Sequence, residues 1–189
     1  MPITDLLERN AKEFCHETAL VEINPEVKEI RRVTWREYEL IESAPTQSYR
    51  REITWGVFDE KANRCANLLL SRGIEKGSKV AILMMNSLEW LPIYFGILKT
   101  GALAVPLNFR YTADEIKYCL ELADVDALFF GPEFIGRIED ISDRIPKVKL
   151  RFYVGDSCPR FAENYLHFAA NSSSLPPRIL RSDDDESAI

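Results

Sequence analysis

The chain of 189 residues has little histidine and little cysteine: only His16 and His167, and Cys15, Cys65, Cys119 and Cys158, none at a paired spacing. That scarcity argues against a zinc site and against a disulfide framework. Cys15 and His16 are neighbours, but adjacent residues on a helix point in different directions, which disfavours a nucleophile-base pair and reads as a core cysteine beside a surface histidine. Positive charge is also short, with 24 Lys and Arg against 30 Asp and Glu and a net charge of -6. No stretch gathers basic side chains with aromatics, so no nucleic-acid partner is expected. The first residues, MPITDLLERNAKEF, carry Asp5, Glu8, Arg9, Lys12 and Glu13 and lack the apolar core of a signal peptide. A reducing, cytoplasmic setting is the expectation.

Apolar residues are plentiful, at 46%, enough for one sizeable core. From Val80 to Leu107 the only charges are Glu89 and Lys99, and the run is long enough to span a membrane. Asn86, Ser87, Pro92 and Gly101 break it at element-sized intervals, which favours a buried strand-helix-strand over a span. Lys99 then falls in a last helical turn, where a cation complements the dipole; Gly101 ends that helix, and Pro106 closes a short strand.

Regular alternation surrounds this unit. Residues 5 to 14 read as a helix capped by Thr4, and TALVEI (Thr18 to Ile23) as a strand. Phe58, Ala62, Cys65, Ala66, Leu69 and Leu70 recur at helical spacing, with Gly73 as terminator. KVAILMM (Lys79 to Met85), ALAVPL (Ala102 to Leu107), ALFF (Ala127 to Phe130) and LRFYVG (Leu150 to Gly155) read as strands. Between them lie helices expected from Leu88, capped by Asn86 and Ser87, from the Thr112-Glu115 capping box, and from Glu133 to Ile145. The pattern predicts an α/β fold, a doubly wound and mostly parallel sheet with helices on both faces, as a truncated subdomain. No glycine follows Gly155, and Asn171 to Ile189 reads as linker or exposed tail. The expected division is an extension over 1–52, an α/β unit over 53–156 and a linker over 157–189.

Between Ile53 and Glu115 the residues are specific beyond fold class. Ile53-Thr54-Trp55 is followed by Ala62-Asn63-Arg64, Ala66-Asn67-Leu68, Gly73-Ile74 and Gly77-Ser78-Lys79-Val80-Ala81. Asn86, Glu89-Trp90, Leu98-Lys99-Thr100-Gly101-Ala102 and Val105-Pro106-Leu107-Asn108 come next, with Arg110 and Glu115 behind. In this order and at these separations they resemble the N-terminal part of the AMP-forming adenylating enzymes, the superfamily of acyl-CoA synthetases, luciferases and nonribosomal-peptide adenylation domains. The family's first motif pairs its Thr with a Glu three residues on, whereas Thr54 is followed by Val57 and Thr34 by Glu37. Thr54 stands nine residues before Asn63, as in the family, so the second Thr-Trp occupies the motif and the first lies in extra N-terminal sequence. The family also carries a Gly-rich phosphate loop ending in Pro-Lys soon after an acidic segment such as Asp183-Asp184-Asp185-Glu186. The expectation is an N-terminal piece of a longer enzyme; a complete small protein is the alternative.

The resemblance implies a two-step reaction in the full-length enzyme. A fatty or aromatic carboxylic acid and Mg·ATP give an acyl-adenylate, and CoA then takes the acyl group. No catalytic and no metal residue is assigned to this piece, which is expected to be inert and to bind no cofactor. Asn108 and Arg110, with Arg137 behind them, are implied on the CoA side. A guanidinium at a strand's C-terminal end suits a phosphate, though a surface ion pair with Asp or Glu is the competing reading for Arg110. A carrier-protein acceptor and a non-enzymatic α/β binding module are the alternative functions. Self-association through an open sheet edge is a further expectation.

Overall fold

The computed structural model describes residues 2–24 and 49–179, and the backbone of 32–36 and 39–43 between them. Helix α1 (Ile3–Glu13) leads into β1 (Thr18–Ile23). Its expected cap is corrected: Pro2 occupies the cap position, while Thr4 lies inside the helix, 2% exposed, with its Oγ1 unpartnered among the described residues. Strands β2 (Arg32–Arg36) and β3 (Glu39–Ser43) pair antiparallel, and β4 (Arg50–Thr54) returns antiparallel to β1. Thr34-Trp35 therefore lies within a strand. Thr54, by contrast, ends β4 and caps α2 (Trp55–Ser71), its Oγ1 accepting from Val57 N at 3.4 Å. The two Thr-Trp copies share letters and not structure.

The main sheet uses β5 (Lys79–Leu83), β6 (Leu103–Pro106), β7 (Ala127–Phe130), β8 (Leu150–Tyr153) and β9 (Glu163–Asn164), in the order β6-β5-β7-β8-β9, every pair parallel. Between them run α3 (Trp90–Lys99), α4 (Ala113–Leu122) and α5 (Ile135–Ile141), and α6 (Tyr165–Ala170) follows β9. Successive side chains of β5 face opposite cores. Val80 and Ile82 meet Leu69 of α2, Ile97 of α3 and Tyr165 of α6; Ala81 and Leu83 meet Ile116 of α4 and Ile138 of α5. Burial on both faces is why these strands are unbroken apolar runs. The sheet is doubly wound, as its alternation predicted. Gly96 lets α3 approach α2, since a Cβ there would lie 2.5 Å from Cys65 Cβ.

Local signals were accurate where the partners are local. Thr112 and Glu115 form both halves of the capping box. Gly101 takes φ +77 to end α3. Helix α3 starts later than expected, at Trp90, because Ser87 closes a turn first: Ser87 O accepts from Trp90 N at 3.2 Å and its Oγ from Glu89 N at 3.3 Å. Cys15 is exposed rather than core, in the turn where its carbonyl accepts from Gly56 N at 3.1 Å. Order also continues past Gly155, where a linker was expected. Glu163 of β9 pairs with Arg72 at 2.6 Å, Arg72 covers the Phe168 ring at 4.8 Å, and Tyr165 is 1% exposed.

Lys99 does more than complement a dipole. It is fully buried, with Nζ 2.9 Å from Glu8 Oε1 and 2.8 Å from Asp59 Oδ1. One ammonium thus joins α1, α2 and α3. Asp59 Oδ2 also accepts from Asn63 Nδ2 at 3.0 Å. Removing the lysine leaves two half-buried carboxylates without their shared cation, which costs more than replacing the whole set. Lys99→Met is expected to lower the unfolding free energy by about 3 kcal/mol in urea denaturation. Adding Glu8→Gln and Asp59→Asn to that variant should recover most of the loss.

Candidate functional site

Strand order reverses around β5: the chain steps to β6 on one side and crosses to β7 on the other. Open α/β sheets bind ligands at the carboxyl ends of strands beside such a reversal. Here β5 runs out into Met84 to Ser87, β7 into Gly131, Pro132 and Glu133, and β8 into Val154 and Gly155. Together with Glu22 of β1, Arg51 of β4, Lys61 of α2 and Leu166 of α6 they line a crevice of about 520 Å³.

The charges in this crevice are already matched. Glu22 accepts from Arg51 and from the Leu88 amide at 2.8 Å. Burial alone would raise the Glu22 carboxyl, but the Arg51 and Leu88 hydrogen bonds outweigh it and hold it below the usual range. Lys61 pairs with Glu89 at 2.5 Å. Glu133 adds a further carboxylate with no cation partner among the described residues. A phosphoryl group gathering negative charge needs uncommitted cations and amide donors. Among the described residues both cations of this crevice carry a carboxylate partner, and Glu133 leaves carboxylate in excess. Cys65 is no nucleophile either, since full burial pushes its thiol up to about 12.

The three residues expected on the CoA side meet at one loop, after β6. Leu107 N makes a last sheet bond to Ile82 O at 2.9 Å. Asn108 then closes a turn, its Oδ1 accepting from Arg110 N at 2.9 Å and its carbonyl from Tyr111 N at 3.1 Å. Arg110 is exposed, its guanidinium 5.4 Å from the centroid of the exposed Phe109 ring. The surface ion pair is corrected: among the described residues Arg110 has no carboxylate partner, and the aromatic face takes that place. Arg137 reaches across from α5 and donates from Nη1 to Phe109 O at 2.8 Å and Tyr111 O at 3.0 Å. It holds the loop that presents Arg110. Sequence reasoning missed the crevice residues Glu22, Arg51, Lys61, Glu89 and Glu133, which come from distant segments; one available signal was that Glu133 lies three positions past the end of a predicted strand.

Comparison with known proteins fits this architecture. The model of the AMP-binding enzyme family matches residues 7–185. A medium/long-chain-fatty-acid-CoA/3-oxocholest-4-en-26-oate-CoA ligase of Mycolicibacterium smegmatis is 33% identical over 139 residues, which is 71% of this chain and 25% of that protein. The chain thus spans about a quarter of the length of the curated relative it matches. In fold it is similar to the anthranilate CoA ligase AuaEII solved with anthranoyl-AMP, at a TM-score of 0.80 and 23% identity, covering 100% of this chain and 32% of that one. It is also similar to the N-terminal domain of FACL13 from Mycobacterium tuberculosis, at 0.77 and 24%, covering 100% of this chain and 41% of that one. With a family match that runs through nearly all of its residues and a sheet shared with ligase N-terminal domains, the chain belongs to the AMP-binding enzyme family.

Proposed function

We propose that the chain is the N-terminal part of an acyl-CoA ligase that activates a fatty or aromatic carboxylic acid with Mg·ATP and passes the acyl group to CoA. The observation that carries this reading is the 33% identity, over 71% of the chain, to a ligase named for medium and long-chain fatty acids. The role of this part is structural: it supplies a rigid sheet and a CoA-side loop, and no catalytic or metal-binding residue. The ion pairs of the crevice support that division, because each described cation there already carries a carboxylate partner. All of the cysteines are free thiols, which suits the cytoplasm. Self-association through the open edges of the sheet, at β6 and β9, belongs to the same proposal.

Arg110 is the best placed of the three CoA-side residues, being exposed and uncommitted to any described carboxylate, while Arg137 is spent on carbonyls. On this reading the isolated chain releases no pyrophosphate from ATP with octanoate, palmitate or benzoate. The ligase that carries it does so with at least one of them and makes a thioester with free CoA. Pyrophosphate release by the chain alone would overturn the structural role, and a thioester formed only on a carrier-protein thiol would overturn the CoA assignment. In the same ligase Arg110→Ala is expected to raise the KM for CoA about fivefold, roughly 1 kcal/mol for an exposed charged contact. An unchanged KM would remove Arg110 from the CoA side.

A further inference from the structure

The segment from Ala170 to Leu175 is held in an unusual way. Ala170, Asn171, Ser173 and Leu175 are exposed, Leu175 at 71%, so the segment contributes almost nothing to the core before the buried Pro177. Its carbonyls are bound instead, by side chains of α2. Arg64 Nη1 donates to Ala170 O at 2.8 Å and to Ser172 O at 2.7 Å. Asn67 Nδ2 donates to Ser173 O and to Leu175 O, both at 2.8 Å, and so spends both of its hydrogens. Asn63 Nδ2 donates to Ser174 O at 3.0 Å.

Each donor is itself fixed. Glu60 Oε1 accepts from Arg64 Nε at 3.1 Å and Nη2 at 2.9 Å, which leaves Nη1 turned to the segment. Asn63 shares its amide with Asp59 Oδ2, and Asp59 holds Lys99. The contacts therefore continue into the buried ion cluster. Side chains that bind only main-chain carbonyls read no sequence; they set a position.

We infer that Asn63, Arg64 and Asn67 are positioning residues, a carbonyl clamp that fixes the course of the chain as it leaves α6. This rests on the ligase reading above, in which the residues following this segment run on into the part that handles ATP. Seven residues separate Leu175 from Asp183, the start of the acidic stretch after which the family resemblance puts the phosphate loop. A strap released from α2 would misplace that loop relative to the sheet, which slows adenylation while leaving the CoA-side loop on the opposite edge untouched.

Asn67→Asp tests this with a near-isosteric change at a half-buried surface position, replacing two donors by acceptors that face two carbonyls. In the chain of 189 residues, amide hydrogen exchange of residues 171–175 is expected to quicken about tenfold while the β5, β7 and β8 amides stay protected. In the ligase that carries the chain, acid-dependent ATP-pyrophosphate exchange is expected to fall about tenfold with the KM for CoA unchanged. Arg64→Lys, which keeps one cationic donor, should give an intermediate loss. Unaltered exchange of the 171–175 amides, or full pyrophosphate exchange from a loosened variant, would overturn the inference. So would equal damage to adenylation and to the KM for CoA, which marks general destabilisation. A wild-type ligase without acid-dependent pyrophosphate exchange would instead bring down the ligase reading itself, and is told apart by its failure before any substitution.

Discussion

A lysine ammonium with no access to water sits where three helices meet, and much of the molecule is arranged around keeping it satisfied. Desolvating a cation costs several kcal/mol, so Lys99 is tolerable only because Glu8 and Asp59 reach it from α1 and α2 within 2.9 Å. That demand fixes the docking of α1, which otherwise contributes little to the core: of its residues only Thr4 and Leu7 are buried. It also fixes the rotation of α2, because Asp59 must face α3 while Phe58 and Ala62 pack with Leu7. Once α2 is set, Asn63, Arg64 and Asn67 point to one side, and the chain leaving α6 lies across them.

Ion pairs also hold the crevice at the strand ends. Lys61 leans to Glu89 and joins α2 to the segment before α3, while Arg51 pairs with Glu22 inside the β1–β4 ribbon, which the Leu88 amide ties to that segment. In a unit whose edges depend on such pairs, a cation is structural material. Arg110 of the loop after β6 differs from these pairs in having a ring rather than a carboxylate as its neighbour. A loop that must be stiff to present one side chain needs its own support, and Arg137 provides it through two carbonyls. Two arginines from the same loop region thus divide the labour, one presented and one spent.

How far the sequence could be read follows from how local each cause is. The strands were legible because burial on both faces demands apolar runs, and α4 because its cap closes within four residues, from Thr112 to Glu115. The doubly wound sheet followed from alternation alone. Lys99 was legible only as a cation in a last turn, since its partners lie 91 and 40 positions away. The segment after Gly155 read as linker because a two-residue strand and a six-residue helix are too short to show a period, and because what holds Ala170 to Leu175 is donated from more than a hundred residues upstream. The crevice stayed hidden for the same reason: its ion pairs join distant segments.

These distances bear on what a family motif means. The residues that carried the resemblance, Asn63 with Arg64, Asn67, and Lys99 with Gly101, are the ones the structure commits to ion pairs, carbonyl contacts and a left-handed turn. A side chain can be tightly constrained by chemistry done on a substrate or by a buried charge that admits one arrangement of neighbours, and the sequence pattern is the same in both cases. Here the second cause is visible in the contacts. Lys99 has two carboxylates, Asn67 two carbonyls, and Arg64 a glutamate and two carbonyls, so most of their donors are already engaged within the fold. These motif residues thus hold the sheet's helices and the segment after α6 together, whatever further role they have.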